Sequence, residues 1–81
     1  MATRKTLIKS RAGVRLQHIE QLARQQVVQS SWRVSTIRHN QPRIFADQTE
    51  AEDAFDVEVI ASLTDPIVID MQRRGLLEEF E

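Results

Sequence analysis

An α+β domain is the fold class this sequence predicts, and three observations carry it. Apolar residues recur at steps of three and four over 12–29, which is helical spacing. Trp32, Val34 and Thr36 then alternate with Arg33, Ser35 and Ile37, which is strand spacing with β-branched enrichment. Two helix-start signals follow, at Thr49–Glu52 and at Asp65–Pro66. The expected order is a basic N-terminal helix, a β-hairpin and acidic C-terminal helices. A competing reading makes 56–61 and 67–71 strands, giving a four-stranded antiparallel sheet with one or two helices.

The 81 residues allow one small domain, 1–81, with 1–10 as a mobile basic arm. A chain of this size buries only roughly 60% of the surface it exposes when unfolded. Cysteine is absent, which excludes a disulfide scaffold, thiolate metal sites and a Cys nucleophile. No apolar run approaches the ~18 residues of a membrane span. The 41% apolar content argues against a disordered tail. Together these point to a cytoplasmic protein that meets no membrane.

Residues 1–11 are basic and hydroxyl-rich, a composition shared with organelle transit peptides. They are read as a retained arm or as the first turn of the next helix. In 12–29, Ala12, Leu16, Ile19, Ala23 and Val27 form one stripe, widened by Leu22. Ser10 is the candidate cap, and Gly13 weakens the first turn. Gln17, Gln21, Gln25 and Gln29 form a ladder down the other side, extended by Arg11 and Arg15. Such a ladder is either a solvated face or a contact strip, since Gln and Arg read phosphates, base edges and protein surfaces.

The hairpin is expected within 31–47. Arg38 to Pro42 supply the turn, Arg43 to Ala46 the return strand, and Arg33, Arg38 and Arg43 an outward face. Thr49 with Glu52 makes a capping box, so a helix is expected from about residue 50 to Leu63. Asp65 as N-cap and Pro66 at the first position start another. Its buried face would use Ile67, Met71 and Leu77 or Phe80, and Gly75 would close it in the left-handed region. Glu78 to Glu81 are read as a frayed acidic end. The first helix is expected to pack on Trp32, Val34, Phe45 and Phe55.

The formal charge of −1 hides a split. Residues 1–46 carry nine bases against one acid, Glu20, while 47–81 carry eleven acids against two bases. Such a split has three readings: the halves neutralise one another, they form two poles, or the basic half meets phosphate.

Catalytic constellations are missing from the sequence. With only Gly13 and Gly75 there is no phosphate loop, and no nucleophile elbow is present. The histidines, His18 and His39, have no metal-ligand spacing with one another. The reading is therefore a protein with no catalytic residues, no metal and no cofactor. It would be a small regulator, inhibitor or accessory subunit that docks a basic face on an acidic protein surface. The residues expected to bind are Arg4, Lys5, Lys9, Arg11, Arg15, Arg33, Arg38 and Arg43. Leu7 and Ile8, or Leu76, Leu77 and Phe80, are candidate apolar anchors. The alternative is nucleic-acid binding by the same bases, with Trp32 and Phe45 available to stack. A charge-driven homo-oligomer, basic half on acidic half, is the third case.

Overall fold

The computed structural model describes residues 2–76, and its first half is strands joined by tight turns, with no helix. β1 (Ala2–Arg11), β2 (Val14–Ala23) and β3 (Gln26–Thr36) form an antiparallel meander. The short β4 (Arg43–Phe45) completes a four-stranded sheet in the order β1-β2-β3-β4. α1 (Gln48–Leu63) and α2 (Pro66–Arg73) follow. The α+β class, the hairpin and the two C-terminal helices agree with the sequence reading.

The N-terminal helix does not. Residues 12–29 are a turn, β2, a second turn and the start of β3, and residues 2–10 of the expected arm belong to β1, Ser10 included. Residues 56–61 and 67–71 are helical, so the sheet takes its two further strands from the N-terminus instead. The turns explain the difference. Ala12 and Gly13 have φ of 52° and 77°, and Arg24 and Gln25 have φ of 54° and 65°. Two central residues with positive φ define the two-residue hairpin turn whose twist matches its strands. A right-handed helix cannot pass through either pair. The amide of Ile37 also donates to the Gly13 carbonyl at 3.1 Å, tying the first turn to the end of β3.

α1 covers one end of the sheet. Val14, Leu16 and Val34 meet Ala51, Ala54, Phe55 and Val59 in a single core, with Trp32 and Phe45 packed at its border. The four expected core residues therefore gather, but around a strand bearing Leu16 rather than a helical stripe. Asp47 caps α1, accepting from the Thr49 amide at 3.3 Å, so the helix starts two residues earlier than expected and Thr49 is not the cap. Glu52 is free of the capping role and reaches Lys9 Nζ at 3.6 Å.

α2 begins as expected. Asp65 Oδ1 accepts from the Ile67 amide at 2.9 Å, and Pro66 stands at the first turn. Gly75 has φ of 73°, and its amide donates to the Gln72 carbonyl at 3.1 Å. The buried residue of α2 is Val68, whereas Ile67 is 71% exposed, contrary to its expected place in the buried face. Leu77, Phe80 and the acidic end 78–81 lie outside the described residues.

Beyond α1 the sheet continues bare. Ala2–Thr6, His18–Ala23 and Gln26–Ser31 contain no buried residue. The chain extends 46 × 22 × 19 Å with a radius of gyration of 14.1 Å, against about 12 Å for a compact domain of this length. Among the described residues no helix is long and apolar enough to cross a membrane.

Candidate functional site

Strand alternation sorts the side chains of the sheet onto two faces. One face holds Leu16 and Val34 against α1. On the other, the register Leu7↔Gln17, Gln17↔Arg33 and Arg33↔Ile44 lays a row across all four strands. The neighbouring rows are Lys5–Ile19–Ser31 and Arg15–Ser35. No residue in these rows is buried, and Leu7 and Ile44 at its two edges are 51% and 58% exposed. Among the described residues no element covers this face, and it mixes aliphatic side chains with Lys5, Arg15 and Arg33. Arg33 lies in its middle, and its Nε is shielded from solvent with no hydrogen-bond partner among the described residues.

The eight expected binding residues do not form one surface. Lys5, Arg15 and Arg33 share the uncovered face, while Arg4, Lys9, Arg11 and Arg43 belong to the α1 side by register. Arg38 lies in the loop after β3. Arg33 and Arg43, expected together on the outward face of the hairpin, therefore point to opposite sides. Arg43 pairs with Val34 rather than with Arg33.

Several of the eight are held by intramolecular contacts. Arg4 Nε and Nη2 donate to Glu20 Oε1 at 3.0 and 2.8 Å. Lys9 lies 5.6 Å from the Phe55 ring centre besides its pairing with Glu52. Arg43 stands 5.1 Å from the Phe45 ring centre. Arg38 Nε donates to Asp65 Oδ2 at 3.0 Å, and its Nη1 lies 3.5 Å from Glu58 Oε2. The Ile67 amide, and then Arg38, hold the Asp65 carboxyl below the usual carboxylate range, with desolvation opposing them.

A second cluster occupies the α1-side face beyond the helix. His18 Nε2 and Ser30 Oγ share a hydrogen bond, His18 stacks on Trp32 at 4.8 Å, and Glu20 Oε1 lies 3.8 Å from His18 Nδ1. The order Ser–His–carboxylate is that of a hydrolytic triad, but 3.8 Å is too long for the hydrogen bond that orients the imidazole. Glu20 is instead gripped by Arg4. The sequence carries no local signal for this cluster, because residues twelve apart meet only through the β2–β3 register.

A cleft of about 570 Å³ lies elsewhere, lined by Thr36, His39, Asn40, Gln41, Arg43 and Glu58 over Val34. Its carboxylate, Glu58, is already flanked by Arg38 and by His39 at 3.8 Å. Among the described residues no group of three His, Asp or Glu is placed to hold a metal ion.

Ile44 on the surface, and Val57 and Ile60 on the outside of α1 at 63% and 65% exposure, are not among the residues expected from the sequence to bind. A helical projection of 48–63 carries that signal, since apolar residues stand on both sides of it. Compared with protein-family models, curated proteins and solved structures, the chain matches none.

Proposed function

We propose that this chain is a non-enzymatic interaction protein, a small regulator, inhibitor or accessory subunit. It docks the uncovered face of its sheet on an acidic protein surface. One observation supports the reading above others. Lys5, Arg15 and Arg33 share a helix-free face with exposed Leu7 and Ile44, so cationic and apolar groups are offered together. Interfaces combine apolar contacts with a polar rim, and this face offers Leu7 and Ile44 beside its bases. The nucleic-acid alternative rests on the same bases, but the exposed aromatic it needs is weakly supplied. One face of Trp32 is taken by His18, and Phe45 packs against the core.

The test uses the immobilised chain and its Lys5→Glu/Ile44→Glu variant in about 0.1 M salt, where charges still act over ~10 Å. The wild type is expected to retain a partner protein that the variant releases. Equal retention by both overturns the docking face. Micromolar binding to short DNA or RNA, with the steep salt slope of phosphate contacts, would transfer the face to nucleic acid.

A further inference from the structure

We infer that a second copy of the chain is a partner for this face, with the uncovered sheet of one copy seated on the outer side of α1 of the next. The inference rests on the docking reading above and names the partner. It starts from an anomaly in α1. The inner side of that helix is satisfied by the core, through Ala51, Ala54, Phe55 and Val59. Its outer side should then be polar. Instead Val57, Ile60 and Leu63 stand there, 63%, 65% and 41% exposed. A helix that is apolar on both sides is normally enclosed on both sides. Among the described residues only the inner side is enclosed.

The same outer side carries Asp53 and Asp56, both exposed. Positions 53, 56, 57 and 60 recur at helical spacing, so the two acids and the two aliphatic residues form one strip. That strip complements the uncovered sheet face in kind. The face offers the aliphatic side chains of Leu7, Ile19 and Ile44 to Val57, Ile60 and Leu63, and the bases Lys5, Arg15 and Arg33 to Asp53 and Asp56. Charge also selects the geometry. Sheet face on sheet face would oppose bases with bases, and helix on helix would oppose acids with acids, each at a cost in like-charge contact. The favourable pairing joins two different surfaces, so it is heterologous. Each added copy then presents one unused surface of each kind, and the assembly grows to a ring or a filament. α1 becomes the middle of a sheet–helix–sheet stack.

Sedimentation velocity on the full chain tests this. At about 0.1 M salt the wild type is expected at two or more times the chain mass, and to lose mass near ~1 M salt, where the Debye length is about 3 Å. Lys5→Glu/Ile44→Glu and Asp53→Lys/Ile60→Lys, all at exposed positions, are each expected to sediment as monomers. Mixed, the two variants are expected to give a one-to-one dimer and nothing larger. Each retains the surface that the other lacks. A wild type that stays monomeric at every concentration overturns the inference, as does a mixture that stays monomeric. Should either variant fail to fold by circular dichroism, the single changes Lys5→Glu and Ile60→Lys replace it in the same scheme. If the wild type is monomeric while Lys5→Glu/Ile44→Glu still releases a foreign partner, the second copy is wrong and the docking face stands.

Discussion

The two ends of this sheet are built from the same three strands and differ in what lies on them. At the end under α1, Val14 and Leu16 are fully buried and Val34 is 2% exposed. At the other end, the paired residues Leu22 and Val27 sit in the same ladder, yet Val27 is 48% exposed and nothing is buried. The covered end gains the burial free energy, about 25 cal/mol per Å² of apolar surface removed from water. The bare end is held by its ladder and by cross-strand pairs such as Arg4 with Glu20 and His18 with Trp32. One end therefore supplies the stability of the domain, and the other supplies surface.

That difference is broken most severely from the covered end. Leu16→Ala is expected to cost about 2–5 kcal/mol, a large share of the stability of so small a domain. Val27→Ala, in the same sheet, is expected to stay within ~0.5 kcal/mol. Urea denaturation of both variants measures the contrast, and similar losses would remove it.

A smaller effect sharpens the comparison from the bare end. Arg24 and Gln25 hold positive φ without being Gly or Asn, a conformation that costs on the order of 1 kcal/mol or more at each. Arg24→Asn/Gln25→Gly supplies the residues this turn favours and is expected to stabilise the chain by about 1 kcal/mol. Thermal melting reads the gain, and a lower Tm would count against the turn.

How much of this was legible in the sequence divides along the chain. Asp65–Pro66, Gly75 and the alternation from Trp32 to Thr36 each report a local backbone demand, and each reads correctly. The N-terminal half misleads for physical reasons. A step of four is even, so Gln17 and Gln21 share a face of a strand as well as of a helix. The second turn hides because Arg24–Gln25 replaces the usual Asn–Gly signal. The bulges complete the disguise. Pairing skips from Leu7 to Lys9 on β1, and from Val27 to Gln29 opposite Leu22 and Gln21, so Ile8 and Val28 interrupt the strict alternation. The uncovered face was half legible. Its bases are plain in the composition, but their division between two faces follows from register alone.

The acid dependence of the junction between the helices gives a third, milder effect. The folded-state pKa of Asp65 lies below its unfolded value, so its contribution is present above about pH 4 and is lost as pH falls through the depressed value. Asp65→Asn is expected to flatten the stability profile on that acid side only. An unchanged profile would mean that neither the Ile67 amide nor Arg38 favours the ionised carboxyl.

The smallest effect is expected at the exposed pair of the bare end. Arg4→Ala should cost about 0.2–1 kcal/mol and less in high salt, read from the urea midpoint.

Residue-resolved hydrogen exchange on the dilute chain tests the two-ended account most directly. Amides flanking Leu16 and Val34 are expected to exchange only through global unfolding. Those flanking Gln21 and Gln29 should exchange through local opening and much faster. Uniform protection along β2 and β3 would contradict the account, because a bare end cannot match the stability of the end that α1 covers.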